Sequence, residues 1–376
     1  MGASYGNAGG IAVSSVIPVS TPGLLRSAPG WLLDPKGPLT VRWRYLPTLA
    51  PWLVKFLRAG STRRVAEIST ALAALLRHTY ADLDTLLEAA GIAHMLDRGG
   101  ALYLYDRESE LERERWVWNR RTELGMVVER VDGRALPDLE PDIAADFACA
   151  MFARDWSRLS DPYRFVTALA AHFARHGGVI LRTEVTELRR DGEFVTTIQL
   201  ADGTSRPIDR LVVAAGAWSA RLAVQLGERV PLESQRGYHT TLPDPGIGVN
   251  HQIVYANQGF VITPLDPGLR VAGTVELAGL DAPADYRRAR ILLPKARRVF
   301  PAINTDGGSE WMGHRPALPD SLPVIGRSPG APNVYYAFGH GHLGLTMAPT
   351  TGRLIAELIS HGRPGLNLSA YRFDRF

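Results

Sequence analysis

A single cysteine, Cys149, occurs in 376 residues. One thiol excludes an internal disulfide and a cysteine-based metal cluster. Its apolar setting, Phe147-Ala-Cys-Ala-Met-Phe152, points to a buried structural thiol rather than a nucleophile. No stretch reaches about 18 apolar residues, so no transmembrane helix is expected. The opening Met1-Gly-Ala-Ser-Tyr-Gly-Asn-Ala-Gly-Gly-Ile11 lacks the charged segment of a signal peptide. Charge of one sign is also missing: 42 Lys and Arg face 38 Asp and Glu, for a net +4. The two signs interleave, as in Asp106-Arg-Glu-Ser-Glu-Leu-Glu-Arg-Glu-Arg115, which leaves no basic stripe for nucleic acid. Weak attraction to anionic membranes stays open. There is no internal repeat and no low-complexity segment.

What is present is an ordinary globular composition, 45% hydrophobic and 21% charged. Residues 1–40 are rich in Gly, Pro and Ser and read as loops with short strands. Helical spacing runs from Tyr45 to Ala90, broken at Pro51 and Gly60. Trp43 and Trp52 there fit interfacial anchors or, the commoner outcome, core aromatics. Ala101–Tyr105 reads as a strand and Glu108 to Gly125 as a charged helix. Ser160-Asp161-Pro162 is a helix start, and Gly177-Gly178 ends that helix. Val179–Leu181, Val185–Leu188 and Phe194–Leu200 read as strands, with Asp202-Gly203 as a hairpin turn. Leu211 to Gly216 is fully apolar, as expected of a strand in the middle of a covered parallel sheet. From Val230 to Trp311 alternating strands predict an antiparallel sheet, interrupted by a helix from Pro283 to Val299.

One motif stands out near the C-terminus. The apolar Val334-Tyr-Tyr-Ala-Phe338 runs into Gly339-His-Gly-His-Leu-Gly344, and a helix pattern follows. The glycines fit G-x-G-x-x-G, the pattern of a dinucleotide pyrophosphate loop. Such a loop needs a following βαβ unit and an acid about 20 residues on. Only 32 residues follow Gly344, and the nearest acid, Glu357, lies inside the helix. The loop is therefore expected to bind an anion or carbonyl at the end of a fold. His340 and His342 have no Cys or acid beside them, so no metal is expected.

Taken in order, Leu211-Val-Val-Ala-Ala-Gly-Ala-Trp-Ser219, Gly313-His-Arg-Pro316 through Gly326, and Gly339 to Thr346 resemble the FAD-dependent D-amino-acid oxidase superfamily, glycine oxidase and the bacterial D-amino-acid dehydrogenases included. Ser4-Tyr-Gly-Asn-Ala-Gly9 resembles the family's S-x-x-N-A-G loop, and Tyr371-Arg-Phe-Asp-Arg-Phe376 its C-terminal Y-x-x-x-R-F. The resemblance spans nearly the whole chain. It implies an α/β (α+β overall) protein with a Rossmann-like FAD-binding domain, formed by 1–40, 145–228 and 312–376. An inserted antiparallel-sheet substrate domain, 41–144 and 229–311, completes it. It also implies that the family's first βαβ unit is not in this chain, whose FAD-binding domain is N-terminally incomplete. The expectation is that the 376 residues hold FAD poorly and that a longer chain would be yellow.

By the same resemblance Arg315 grips a substrate carboxylate. Tyr238 and Tyr255 on the antiparallel sheet are candidate substrate-pocket hydroxyls or, the commoner outcome, packing aromatics, and His342 is a further candidate to face the flavin or substrate. Ser4, Asn7, Ala8, Gly9, Val185, Gly216, Trp218, Gly339, Gly341, Leu343, Gly344, Leu345 and Thr346 are the implied FAD contacts. The implied function is oxidation of D-amino acids, D-proline or hydroxyproline types included, by hydride transfer to flavin, giving an imine and then a 2-oxo acid. A non-catalytic family remnant or partner subunit is the alternative, and a nicotinamide-dependent dehydrogenase is disfavoured by the missing ribose acid. The electron acceptor is left open between quinone, a partner protein and oxygen. The implied location is cytoplasmic, with peripheral contact to the inner membrane open.

Overall fold

The computed structural model describes residues 2–24, 30, 34, 37–144 and 146–376. The elements that frame the site are helices α1 (Leu46–Ala59), α2 (Thr62–Leu76), α3 (Pro162–Arg175), α4 (Leu292–Val299) and α5 (Gly344–His361). The strands are β1 (Ala101–Tyr105), β2 (Cys149–Ala153), β3 (Leu211–Val213), β4 (Glu233–Leu242), β5 (Gln252–Tyr255), β6 (Phe260–Leu265), β7 (Gly268–Leu277), β8 (Ser309–Ala317) and β9 (Val334–Phe338).

Among the described residues a nine-stranded sheet dominates, in the order β8-β4-β7-β6-β5-β1-β2 and then Val128–Asp132, with Leu39–Val41 lying parallel beside β7. Most of its pairs are antiparallel, and β5 with β1 is parallel. β2 and all of β8 pair within this sheet, and Cys149, Met151 and Ala153 of β2 also pack with Val16, Leu343 and Met347 beside the glycine loop. One sheet face packs on α4 through Leu102, Ile253, Ile262, Val271 and Val299. The other face meets the N-terminal loop and the end of the glycine loop.

The sheet carries a β-bulge that shapes the site. Arg236 pairs with Glu276 and Tyr238 with Gly273, so Thr274 and Val275 together oppose Gly237. Thr274 adopts φ 54°, a left-handed conformation costly for a β-branched residue.

A smaller sheet pairs β3 parallel with β9, and β9 antiparallel with Val324–Arg327. Here the structure corrects the sequence reading. β3 is an edge strand, three residues long, with Val212 39% exposed. Val179–Leu181 forms no strand, and Val179 is 78% exposed. Apolar character alone cannot make a strand, because each needs a hydrogen-bonded neighbour on the ladder. Val185 opens a strand, Val185–Asp191, in a separate three-stranded antiparallel sheet. The expected helix from Pro283 to Val299 is two short pieces, Arg287–Arg290 and α4.

Local signals elsewhere match their physics. Asp161 caps α3 by accepting from the Tyr163 and Arg164 N–H groups, with Pro162 at the first helical position. Cys149 is buried, and burial pushes its thiol up to about 11, which removes thiolate reactivity.

Candidate active site

β9 delivers the chain to Gly339, where φ is +85° and an added Cβ would fall 2.3 Å from Leu318 Cδ1. Only glycine fits both demands. Gly341 also has positive φ, and Gly341–Leu343 makes one tight turn into α5. No side chain caps α5, so its first N–H groups are unclaimed by a capping residue. Thr346 ties this loop to the N-terminal loop: its Oγ1 accepts from Ala12 N at 3.0 Å and lies 3.4 Å from Gly10 O as a donor. Asn7 Oδ1 accepts from Gly9 N at 2.8 Å, closing the turn that carries Ala8. Leu345 packs with Ile11 and Val13. Ser4 is exposed at the loop's start, where its carbonyl accepts from Asn7 N.

The sheet supplies the other wall. Alternation along β4 and β8 puts Gln235, Gly237, His239, Trp311, Gly313 and Arg315 on one face. Arg315 lies over Gly237, where a Cβ would come within 2.3 Å of the guanidinium carbon. Its Nη1 donates to the Thr274 carbonyl at 3.0 Å, so the bulge aims that oxygen at the guanidinium. No carboxylate among the described residues lies within ion-pair distance of Arg315. Burial alone lowers its pKa to about 10.

β8 then brings Ala317 alongside His340 through an isolated bridge, which joins the sheet wall to the glycine loop. His342 lies near enough to feel the Arg315 charge. Both residues sit deep among protein atoms, yet His342 keeps much of its surface free and Arg315 an intermediate share. A residue that is deep and still accessible faces an internal recess. Gly339, His340, Gly341, His342, Gln235 and Phe56 of α1 line a small cavity beside the glycine loop.

Three histidines around this recess are held neutral. Burial first, then the Arg315 charge, lowers His342 to about 4; burial lowers His340 to about 4. His239, lowered by burial and then by Arg270, falls to about 3. Their unfolded value is about 6.5. The folded chain therefore binds fewer protons, and the stability they confer is full above about pH 6.5 and is lost as pH falls toward 4. Urea unfolding at pH 7 and pH 5 should show a lower midpoint at pH 5, with a smaller drop in His340→Asn; equal midpoints would contradict this.

The structure brings Arg315, His342 and the glycine loop together and sets other candidates apart. Tyr238 is on the opposite sheet face, where its hydroxyl donates to Glu276 Oε2 at 2.5 Å and accepts from Asp285 N. Glu276 there also holds Arg42 and the fully buried Arg236. Tyr255 shares that face, and its hydroxyl donates to Asp106. Both hydroxyls are thus engaged by carboxylates on the face away from Arg315. Tyr238→Phe should cost about 2 kcal/mol of stability, because a buried carboxylate loses a donor, and should leave KM for amino acids unchanged. Denaturant melts and KM together check this; a raised KM would return Tyr238 to the pocket.

Gly216 has φ +55° and opens the turn Gly216–Trp218 after β3. Trp218 packs edge-on against His314, across the sheet from Arg315. Gly237, His239 and Arg270 were not found from sequence. Arg270 donates to the Tyr5 and Asn7 carbonyls and so clamps the N-terminal loop. A glycine inside a strand, as at Gly237, was the one available signal of close approach.

These features fit the ring end of a flavin. Positive-φ glycines leave no Cβ in the way, and α5 offers uncapped N–H groups to a carbonyl-rich edge. Gly339, Gly341, Leu343, Gly344, Leu345 and Thr346 would hold that end, with Asn7, Ala8 and Gly9 beside them. Among the described residues no group of three His, Cys, Asp or Glu is placed to hold a metal ion, and no helix is long and apolar enough to cross a membrane.

Comparison with known proteins points the same way. The family model for FAD dependent oxidoreductases (DAO) matches residues 1–358. A D-amino-acid oxidase of Bradyrhizobium diazoefficiens is 36% identical over 379 residues, which cover 100% of this chain and 90% of that protein. A D-amino acid dehydrogenase of Paramagnetospirillum magneticum is 33% identical over 398 residues, covering 99% and 90%. Among solved structures, glycine oxidase from Geobacillus kaustophilus superposes with a TM-score of 0.73 at 22% identity, covering 100% of this chain and 89% of that one. The fold is thus the mixed α/β FAD-binding fold with antiparallel sheets seen in glycine oxidase.

Proposed function

Since the chain belongs to the family of FAD-dependent oxidoreductases, we propose that its recess oxidises D-amino acids, D-proline and hydroxyproline types included. The observation that carries this reading is Arg315, a cation without a carboxylate partner, facing an internal recess beside neutral His342. A desolvated, unpaired guanidinium is costly unless an anion completes it. A planar fork of donors suits a carboxylate.

Arg315 anchors the substrate carboxylate and holds Cα inside the recess. Its positive charge and the low dielectric both disfavour a protonated amine, so the amine binds neutral. His342, being neutral, adds no second charge and can accept a hydrogen bond from that amine. Bound FAD would supply the two-electron acceptor at residues 339–346. The substrate's C–N bond becomes an imine, which water hydrolyses to a 2-oxo acid and ammonia; a cyclic substrate stays a cyclic imine. Orientation carries most of the rate, and no dedicated general base is required. The electron acceptor is a quinone, a partner protein or oxygen.

The two relatives above, named D-amino-acid oxidase and D-amino acid dehydrogenase, support the D-amino-acid class. A screen of D- and L-amino acids with a dye acceptor and added FAD tests it. Turnover confined to D-enantiomers is expected; equal use of L-enantiomers would contradict it.

A further inference from the structure

The sequence from Pro35 to Ala66 contains no Asp or Glu. Within it, α1 turns Leu49, Trp52 and Phe56 inward. Its opposite face presents Pro47, Ala50, Pro51, Val54 and Leu57 to solvent. Helical periodicity aligns these five as one apolar stripe, about 20 Å long for a helix of this length. Trp43, in the tight turn just before α1, is 71% exposed; Val54 is 48% and Leu57 40% exposed. An apolar stripe on an outer helix face, ending in an exposed indole, has no role in the core.

Cations frame the stripe. Arg44, Lys55 and Arg58 are exposed, and none forms an ion pair among the described residues. Lys55 instead lies over the ring of Phe376, itself 39% exposed. The acids near that end are already neutralised, Asp320 by Arg375 and Asp374 by Arg372. Arg42 is likewise taken by Glu276, and Arg63 and Arg64 by Glu67.

We propose that Trp43 and the outer face of α1 dock on an anionic lipid bilayer. The apolar stripe would sink to the headgroup–acyl boundary, the indole would sit at the interface, and Arg44, Lys55 and Arg58 would meet the lipid phosphates. The lack of acid over the whole segment gives the charge complementarity that an anionic surface needs. Small, flat side chains at Pro47, Ala50 and Pro51 offer no knobs for a protein groove but lie easily against lipid. Because Phe56 on the inner face lines the small cavity beside the glycine loop, docking would place that cavity about one helix diameter, ~10 Å, below the lipid. Such binding is read without turnover, whichever amino acid is oxidised.

Sedimentation of the 376-residue chain with vesicles tests it, using phosphatidylcholine with or without phosphatidylglycerol. Binding is expected with phosphatidylglycerol only, and added salt should reverse it. Arg44→Gln/Lys55→Gln/Arg58→Gln should weaken it ~100-fold. Trp43→Ser/Val54→Asn/Leu57→Asn should abolish it, with circular dichroism and melting curves confirming that both variants stay folded. Absence of binding by the wild-type chain would overturn the proposal. So would equal binding to neutral vesicles, wild-type binding by both variants, or a dimer in solution that buries the stripe.

Discussion

Arg315→Leu is expected to lower kcat/KM for amino acids about 1000-fold, mainly through KM, without destabilising the fold. Truncating one partner of a buried, hydrogen-bonded charge pair costs 2–5 kcal/mol or more, and about 4 kcal/mol corresponds to that factor. The stability side has a different sign from most buried-charge deletions. Among the described residues Arg315 has no carboxylate partner to strand, and its guanidinium donates to the Thr274 carbonyl. Replacing an unpaired buried cation by an apolar side chain removes a desolvation cost. Steady-state kinetics and a thermal melt, run on the same preparation, should therefore show lost activity with an unchanged or raised Tm. Activity within a few-fold of wild type would remove the carboxylate role. A collapsed Tm would make Arg315 a structural residue.

Gly237→Ala is expected to cost about 100-fold in kcat/KM while the chain stays folded. The new Cβ would lie 2.3 Å from the Arg315 guanidinium carbon and 2.3 Å from Nη2. What it meets is the far end of a flexible side chain, so the guanidinium swings aside and the sheet survives. A displacement of about 1 Å at a positioning group is enough for a loss of that order. Gly237 is not among the residues with positive φ, so alanine brings no backbone strain of its own. It should even regain part of the 0.5–1 kcal/mol or so that glycine costs inside a strand. The double variant Gly237→Ala/Arg315→Leu should be no worse than Arg315→Leu alone, because both act through one guanidinium. Additive losses would mean that Gly237 serves the site by another route.

Much of the fold could be read locally. Asp161 and Pro162 start α3, Asp202-Gly203 turns a hairpin, and the apolar β9 enters a glycine loop that opens α5. These signals depend on neighbours in sequence, and there the structure follows them. The pairing of Arg315 with the glycine loop came from family motifs, and Ala317 bridging to His340 supplies the physical link.

What could not be read was the face of the sheet. Side chains alternate with a period of two, so an offset of one residue moves a group to the other side. Tyr238 opposes Met312, and Gln235 opposes Arg315; the tyrosine thus points away from the guanidinium. The bulge at Thr274 adds a register shift that no local pattern announced. Val179–Leu181 failed for a related reason: three apolar residues have strand propensity but no ladder partner. At α1 and the turn before it, the sequence left Trp52 and Trp43 equivalent. Packing separates them, with Trp52 6% exposed and stacked on Phe56, and Trp43 in solvent.

The most direct test is anaerobic bleaching of the flavin-loaded protein by amino acids, read beside the bound-flavin content of each sample. D-amino acids should bleach the wild-type flavin, L-enantiomers should not, and Arg315→Leu at equal flavin content should stay oxidised at substrate levels that bleach the wild type. Bleaching of Arg315→Leu at the wild-type rate, or no bleaching of the wild type by any amino acid, would contradict the assignment of this recess as an amino-acid oxidation site.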